Sequence, residues 1–372
     1  MSRPAIARIH LGHLRHNFRL LKKRAAKATL MAVVKANAYG HGLGLVAPVL
    51  FDEGCRCFAV TDAAEGLQLR RMIGHGNSDE IANKTNIVLL SGIFDAEDAE
   101  ITRACELTPV ISEKYQLHLL ATAGFRGKVW LKVNSGMNRL GAENPAALAV
   151  DCLHANIEIA GVMSHLACAD EPEHPLNAEQ ARRFREITAV FPENTPKSLL
   201  NSAGLIALPD CGFDVVRPGI ALYGAEPVRN QPLGLQPVMQ LSGQIMQLRQ
   251  VSRGENISYG GEFTAPRDMR IATVALGYAD GLPRSLSNCG HAALAPANAD
   301  DAAILEIVGR VCMDYCLLDV SRAANRTDIA IGTEIEFWGM HMPAVHVAEQ
   351  INSIAYELFT GVGDRVRKEA IE

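Results

Sequence analysis

The strongest constraint on the fold is a repeated alternation of short apolar segments and longer amphipathic segments that begins near residue 30. Eight segments have the length and β-branched composition of buried strands, and a helical segment follows each of them except the last. Eight strand–helix units in about 200 residues are typical of a (β/α)8 barrel. A doubly wound open sheet is the alternative, although it usually has fewer strands. The predicted strands are Leu30–Val34, Cys57–Val60, Ile87–Leu90, Thr108–Ile111, Lys128–Val133, Ile157–His165, Lys197–Asn201 and Phe213–Arg217.

Two of the intervening helices carry start signals. Asn144 followed by Pro145 is typical of an N-cap with proline at the first helical position. Asn177 with Gln180 three residues later is typical of a capping box. The predicted helices between the strands span residues 62–73, 95–106, 113–123, 145–154 and 178–190, and an earlier one spans residues 13–27.

The pattern changes at Pro237, where strand-like segments separated by Gly, Pro and Asn loops replace the alternation. We therefore expect a (β/α)8 barrel domain over residues 1–235 and a mainly β domain over residues 236–372, which the short strand Ile6–Ile9 can join. The predicted strands are Val238–Val251, Arg270–Leu276, Ile304–Val311, Cys316–Val320 and Glu334–Trp338, with one helix at about 344–359.

Composition excludes several classes of protein. The chain has 372 residues, 48% of them hydrophobic, and its net charge of −5 is accompanied by no basic block, which argues against binding to nucleic acid or anionic membranes. We find neither an apolar signal core at the N-terminus nor a membrane-spanning stretch. The nine cysteines have no zinc-ligand spacing, so we expect reduced thiols in a cytoplasmic protein without a metal site.

Polar residues stand at the carboxyl ends of several predicted strands, where barrel enzymes carry their function. Lys35 is the most informative, because it ends a buried strand in the segment AVVKANAYGHG. Burial of its stem would lower the pKa of its amine and free it for Schiff-base chemistry, whereas the alternative is a lysine that reaches solvent. The full set is Lys35, Lys132, His165, Asn201–Ser202 and Arg217.

The loops after the seventh and eighth strands are the usual phosphate site of such barrels. Ser202 offers a hydroxyl there, and Gly219 and Ile220 offer backbone N–H groups, although Pro-Gly in isolation is more often an ordinary turn. Tyr39 and the distant Tyr356 could reach the same phosphate.

Taken together, the motifs closely resemble those of the alanine racemase family, and the resemblance covers nearly the whole chain. No single motif would be specific, but their order along the chain is. The motifs are AVVKANAYGHG (32–42), LKVNSGMNRLG (131–141), MSHLACAD (163–170), LLNSAG (199–204), VRPGIALYG (216–224), ISYGG (257–261), ALGYADG (275–281), GRVCMDY (309–315) and a helix with Tyr356.

The resemblance implies a site for pyridoxal 5′-phosphate in the barrel. Lys35 would bind the cofactor covalently, Arg217 would face its pyridine nitrogen, and Arg139 would bind its phenolic oxygen. Lys132 matches a lysine that is carbamylated in many family members, and the resulting anion would orient Arg139. Asn134 stands where an aspartate is common, which removes one carboxylate from this loop.

The resemblance also implies a two-base mechanism in a homodimer with shared active sites. Lys35 would serve one face of the substrate and Tyr259 of the partner subunit the other, with His165, linked to Arg217, helping the phenol to act as a base. Further residues are implied in substrate binding and at the entrance shared by the two chains: Met313, Asp314, Tyr278 and Arg284.

The leading hypothesis is therefore a pyridoxal-phosphate alanine racemase. Three alternatives remain open: a racemase of broader amino-acid range, a decarboxylase of the same barrel class, and a non-catalytic carrier of the cofactor. Arg217 in place of an acidic partner argues against the decarboxylase, and the second domain argues against the carrier.

Overall fold

The computed structural model describes residues 4–74, 85–208, 211, 213–294, 302–323 and 329–372. The chain forms two compact units. We call Leu14–Ala38 with Leu43–Leu235 the barrel unit, and the described residues of Met1–His13, Tyr39–Gly42 and Gln236–Glu372 the sheet unit.

The barrel unit confirms the predicted (β/α)8 architecture. Seven parallel strands are hydrogen-bonded in the order β3-β4-β5-β6-β7-β8-β9, and β10 pairs in parallel with β2, which continues into β3. The Arg217 N–H donates to the Leu200 carbonyl at 3.0 Å, next to β9 and β10. The strands are β2 Thr29–Leu30, β3 Ala32–Val33, β4 Cys57–Val60, β5 Asn86–Leu89, β6 Thr108–Ile111, β7 Lys128–Lys132, β8 Glu158–Met163, β9 Lys197–Ser198 and β10 Val215–Val216.

Apolar side chains line the strands on both faces, as expected for a parallel sheet covered by helices. The four residues of β4 and the four of β6 are all buried. The helices are α1 Leu11–Ala25, α2 Leu43–Asp52, α3 Ala63–Gly74, α4 Ala96–Ala104, α5 Lys114–Thr122, α6 Pro145–His154, α7 Pro175–Thr188 and α8 Ser202–Ala207.

Several predicted strands extended too far toward their carboxyl ends. The segments expected to reach His165, Asn201 and Arg217 leave the sheet at Met163, Ser198 and Val216. Beyond these points Ser164, Asn201 and Arg217 make side-chain hydrogen bonds at the strand ends, so the strands end where the candidate site begins.

The two helix start signals had different outcomes. Asn144 caps α6 as predicted, and its side chain accepts from the Ala147 N–H at 3.0 Å. The capping box at Asn177 was wrong, because α7 begins earlier, with His174 as its cap. Asn177 is instead buried and donates to the Cys168 carbonyl at 3.0 Å.

The sheet unit contains an eight-stranded, mostly antiparallel sheet in the order β14-β17-β16-β15-β18-β11-β1-β19, and β11 also pairs with β14. Because β14 and β11 pair with each other, the six strands from β14 to β11 in this order close into a barrel. Its strands are β1 Ile6–His10, β11 Met239–Val251, β14 Met269–Val274, β15 His291–Leu294, β16 Ala303–Ile307, β17 Cys316–Asp319, β18 Glu334–Trp338 and β19 Arg367–Ile371, and β12 Asn256–Ile257 pairs separately with β13 Phe263–Thr264.

Two features of the sheet unit differ from the predictions. The single helix expected at 344–359 is two helices, α9 Ala344–Glu349 and α10 Ala355–Gly361, because Asn352 between them adopts the left-handed conformation with φ 52°. Strands β15 and β19 were not predicted. The sequence of β19, RKEAI, lacks the alternation of apolar and polar residues that identifies a half-buried strand. Within the described ranges, no helix combines the length and the hydropathy needed to cross a membrane.

Candidate active site

The chain makes a left-handed turn directly after Lys35, at the carboxyl end of β3. Ala36, Asn37, Ala38 and Tyr39 have φ angles of 52°, 52°, 56° and 51°. Left-handed conformations cost non-glycine residues roughly 1–2 kcal/mol each, so four in succession are maintained only by compensating interactions.

Hydrogen bonds to neighbouring segments hold this turn. The Glu65 carboxylate accepts from the Ala36 N–H at 2.6 Å, and the Asn37 side chain accepts from the Leu43 N–H at 2.7 Å. The Ala38 N–H donates to the Val34 carbonyl at 2.9 Å. These bonds fix the backbone that carries the lysine.

The Lys35 amine lies in a partly buried, cationic environment. Burial lowers its pKa, the positive charge of Arg139 lowers it further, and the Glu65 carboxylate opposes both effects. A lowered pKa increases the fraction of neutral amine at physiological pH, and the neutral amine is the form that acts as nucleophile or base.

Lys132, the last residue of β7, belongs to the same cluster of charges. Its pKa lies well below the ordinary value because of burial and then because of Arg217, Arg139 and Lys35. Four cationic side chains therefore converge at the carboxyl ends of the barrel strands, and the two amines among them are driven toward their neutral forms.

Asn134 shapes the loop between Lys132 and Arg139. Its side-chain oxygen accepts from the N–H groups of Gly136 at 3.0 Å and Asn138 at 3.1 Å, and its amide donates to the Asn138 side chain at 2.8 Å. An aspartate could accept both backbone bonds but could not donate the third, so the amide suits this loop.

Arg217 is buried and held by acceptors around its guanidinium. It donates to the Ser198 hydroxyl, to the Ser164 carbonyl at 2.6 Å and to the His165 Nδ1 at 3.2 Å. Burial lowers the pKa of Arg217 to about 10, so the side chain remains protonated at neutral pH.

The contact with Arg217 assigns the tautomer of His165. Since a guanidinium only donates hydrogen bonds, Nδ1 must accept, which places the imidazole proton on Nε2. Burial, followed by the charges of Arg217 and Lys132, holds the pKa of His165 well below its usual value. His165 is thus a neutral imidazole with an N–H available on the side away from Arg217.

The predicted phosphate loops lie next to one another in the barrel unit. The Ser202 hydroxyl oxygen accepts from the N–H groups of Gly219 at 2.8 Å and Ala221 at 3.3 Å, so the Gly219 N–H already has a partner. The hydroxyl proton of Ser202 can still be donated to an anion. The N–H of Ile220, the first residue of the short 3-10 helix Ile220–Tyr223, can be donated in the same way. Asn201 caps α8 by accepting from the Gly204 N–H at 2.9 Å.

Other predicted site residues lie in the sheet unit. The rings of Tyr39 and Tyr356 are 5.8 Å apart, and burial raises the pKa of Tyr39. Tyr259 is 70% exposed and follows Ser258, whose φ of 66° is left-handed. Met313 and Tyr278 are also exposed.

The sequence did not indicate the group that holds the loops of Tyr278 and Asp314. Arg365 forms ion pairs with the buried Asp280 at 2.9 Å and with Asp314 at 2.6 Å. The Tyr278 N–H also donates to the Cys312 carbonyl at 3.0 Å. In the sequence, Arg365 lies near the end of the chain and outside all the motifs named above.

A (β/α)8 barrel with an amine and a buried guanidinium at its strand ends, joined to an antiparallel sheet unit, defines a class of two-domain enzymes that use a carbonyl cofactor. Two family models match the chain: the N-terminal domain of alanine racemase over residues 9–227 and the C-terminal domain over residues 238–370. The chain belongs to the alanine racemase family.

Relatives of known name span almost the whole chain. The "alanine racemase, catabolic" of Agrobacterium fabrum is 39% identical over 98% of this chain and 91% of its own length. The "alanine racemase, biosynthetic" of the same organism is 36% identical over 98% and 93%. The crystal structure of alanine racemase from Bartonella henselae with covalently bound pyridoxal phosphate superposes with a TM-score of 0.88 at 30% identity, covering 100% of both chains.

We predict that His165 stays neutral, protonated at Nε2, well below pH 6.5. Nitrogen NMR of histidine-labelled protein would show this, with the His165→Gln variant identifying the resonance. Because the unfolded chain takes up a proton near pH 6.5 and the folded one does not, His165 should also reduce the free energy of unfolding as the pH falls through that value.

The unsubstituted protein should therefore lose more thermal stability than His165→Gln between about pH 7.5 and pH 5.5. A His165 resonance that titrates near pH 6.5, or equal stability losses in the two proteins, would contradict the assignment.

Proposed function

We propose that this protein interconverts L-alanine and D-alanine with pyridoxal 5′-phosphate as its cofactor, supplying D-alanine for peptidoglycan or L-alanine for catabolism. The observation that carries the proposal is the Lys35 amine, which has a lowered pKa and stands on a strained turn at the carboxyl end of a barrel strand. Membership of the alanine racemase family supports the reaction, and relatives named for both physiological roles match the chain.

The residues of the barrel unit fit the cofactor. Pyridoxal phosphate carries an aldehyde, a phenolic oxygen, a pyridine nitrogen and a phosphate. Lys35 would supply an amine for the aldehyde, Arg139 a cation for the phenolic oxygen and Arg217 a cation for the pyridine nitrogen. Ser202 and Ile220 supply an O–H and an N–H for the phosphate. On the resemblance to the family, Tyr39 and Tyr356 are proposed to bind the phosphate as well.

Arg217 is proposed to favour racemisation over transamination. When bound, the cofactor would withdraw electrons from the substrate Cα. The charged guanidinium of Arg217, if it faces the pyridine nitrogen, would keep that nitrogen unprotonated and so limit the withdrawal. The bonds from Arg217 to Ser164 and His165 hold the guanidinium in place. This arrangement favours return of the proton to Cα over transamination.

Racemisation requires a proton acceptor on one face of Cα and a proton donor on the other. We propose that the Lys35 amine serves one face and the phenol of Tyr259 of the partner subunit serves the other. A phenol with a reference pKa of about 10 needs help to act as a base. The neutral His165 can provide it, because its Nε2–H can donate to a phenolate and stabilise that form.

A cytoplasmic homodimer with shared sites would account for the exposure of Tyr259, which is 70% accessible in the single chain. Met313 would offer its backbone N–H to the substrate carboxylate. Tyr278 and Asp314 would line the entrance from loops that Arg365 holds together.

Lys132 is proposed to be carbamylated. Its lowered pKa makes the neutral amine available to attack carbon dioxide, with loss of one amine proton to solvent. The product is an anion among Arg217, Arg139 and Lys35, where it replaces repulsion with attraction. It would orient Arg139.

The proposed reaction is tested with Lys35→Ala. We expect racemisation of alanine to fall by roughly a thousandfold or more, because one face of Cα loses its base, and the absorbance of covalently bound cofactor to disappear. A D/L product assay over a panel of amino acids measures the reaction and its range. Lys128→Ala is the matched control, since Lys128 lies at the start of β7 in an exposed ion pair with Glu158.

Full activity in Lys35→Ala would disprove the role of Lys35. Cofactor binding without racemisation by the unsubstituted protein would favour the carrier, and loss of carbon dioxide would favour the decarboxylase.

The carbamate is tested by carbon NMR of protein equilibrated with isotope-labelled bicarbonate. We expect a carbamate resonance in the unsubstituted protein and in Lys128→Ala, and none in Lys132→Met. A spectrum without this resonance at neutral pH would show that another group orients Arg139.

The shared site is tested by mixing two inactive homodimers, Lys35→Ala and Tyr259→Phe, under conditions in which subunits exchange. In a mixed dimer one site carries both changes and the other carries neither. Random exchange makes about half of the dimers mixed, so activity should recover to about a quarter of the unsubstituted level. A pull-down with differently tagged subunits confirms the exchange. If exchange occurs and activity does not return, Tyr259 acts within its own chain or is not catalytic.

A further inference from the structure

Glu65 is the third residue of α3, and its carboxylate bridges the loops after two neighbouring strands. One oxygen accepts from the Thr61 N–H at 2.7 Å, directly after β4. The other accepts from the Ala36 N–H at 2.6 Å, directly after Lys35. Both bonds are charge-assisted, which makes them stronger than bonds between neutral groups.

Gln116 occupies the same position in another strand–helix repeat of the barrel, as the third residue of α5. Its oxygen accepts from the Ser112 N–H at 2.9 Å, directly after β6. Its amide nitrogen donates to the carbonyls of Ser91 at 3.3 Å and Ile93 at 3.4 Å, in the loop after the neighbouring strand β5. This side chain also joins two neighbouring loops.

Gln180, the sixth residue of α7, makes the same pair of bonds within a single loop, the one after β8. Its oxygen accepts from the Ala167 N–H at 2.9 Å, and its nitrogen donates to the His165 carbonyl at 2.9 Å. At Ser91, Ile93 and His165 the backbone offers carbonyl oxygens, so an amide that both accepts and donates is suitable.

The loop after Lys35 differs, because its left-handed turn directs an N–H group rather than a carbonyl at the bridging side chain. Two N–H groups require an acceptor at each end of that side chain. A carboxylate only accepts, whereas an amide would bring its own N–H against the Ala36 N–H. The chemistry of residue 65 therefore matches the conformation of the turn.

We propose that Glu65 is a positioning residue that holds the left-handed turn after Lys35, and so the direction of the Lys35 side chain, through its bond to the Ala36 N–H. The proposal rests on the proposed function for the role of Lys35. It adds a residue that touches neither substrate nor cofactor and acts through the backbone.

The electrostatic effect of the same carboxylate supports this placement. The Glu65 charge raises the pKa of Lys35 against the lowering by burial and by Arg139, so the two side chains interact directly through space. The carboxylate thus both fixes the turn and moderates the loss of the proton from the amine.

The test is backbone amide exchange of the purified protein with its cofactor, measured by mass spectrometry on the segment that contains residues 35–39. In Glu65→Gln we expect exchange in this segment to accelerate by about tenfold or more, because the bond to Ala36 is lost. The reciprocal variant Gln116→Glu is the control. It should accelerate exchange around residues 91–93 and leave residues 35–39 unchanged.

Catalysis provides a second readout. Glu65→Gln should lower kcat by about tenfold while KM for alanine and the cofactor content change less than about twofold, since Lys35 is misdirected but the binding groups remain. Gln116→Glu should lower thermal stability without this selective loss of kcat.

A double variant covers the case in which Glu65→Gln does not fold. Glycine adopts a φ near 52° without strain, so Ala36→Gly should allow the turn to form without its tie and restore the fold and part of kcat. Exchange at residues 35–39 is then compared between Ala36→Gly with and without Glu65→Gln.

Unchanged exchange in residues 35–39 on substitution of Glu65, in either background, would overturn the proposal. An unsubstituted protein that does not racemise alanine would overturn the proposed function instead. The exchange result does not depend on turnover, so the two failures are distinguishable.

Discussion

The convergence of positive charge at the strand ends of the barrel is the constraint on which the site depends. Lys35, Lys132, Arg139 and Arg217 all act on one another or on His165 through space. Burying like charges together is costly unless some of them are neutralised or paired. The amines can lose their protons and the guanidiniums cannot, so the two lysines and the imidazole of His165 are the groups whose neutral forms are favoured. Burial and this repulsion together disfavour the protonated amines, which favours the neutral form that the proposed roles of Lys35 and Lys132 require.

Backbone strain is the second constraint, and it is local to Lys35. Four left-handed residues in succession cannot be explained by their own preferences, because two of them are alanines. The turn is held where Glu65 accepts from the Ala36 N–H and where the Asn37 side chain accepts from the Leu43 N–H at the start of the next helix. The comparison with Gln116 shows why the residue type matters, since a side chain in the same helical position is an amide where the neighbouring loop presents carbonyls.

The sequence predicted the barrel because the signal is local and repeated. Apolar segments such as Cys57–Val60 are complete strands in themselves, and in the structure this one has the predicted bounds. The ends of the later strands were overestimated because only Ser164 separates the apolar Met163 from His165, and Val216 directly precedes Arg217. No local signal shows where the sheet ends. The capping box at Asn177 failed for a related reason, because the buried contact of Asn177 with Cys168 takes precedence over a local helix start.

Other site residues gave no usable local signal. In the sequence Glu65 is an ordinary helix residue. Only the left-handed turn, which places the Ala36 N–H opposite its carboxylate, distinguishes it. Arg365 lies in the tail and gains its importance only through Asp280 and Asp314, each more than fifty positions away in the chain. Such residues act through contacts between segments distant in sequence, and a pattern within one segment does not record those contacts. They are the part of a site for which a structure is indispensable.

Three exposed side chains of the sheet unit can be related to the proposed second subunit. Tyr259, Met313 and Tyr278 are large and apolar or aromatic, yet they are exposed. Backbone bonds from the Tyr278 and Ala279 N–H groups to the Cys312 and Met313 carbonyls join two of their loops. Single exposed apolar residues need no explanation, but these three come from motifs that the resemblance assigns to substrate contact. In the proposed homodimer a second copy of the chain would cover these side chains. In that proposed arrangement the phenol of Tyr259 would face Lys35 of another subunit, and its placement would matter because misplacement of a reacting group by about 1 Å can cost roughly a hundredfold in rate.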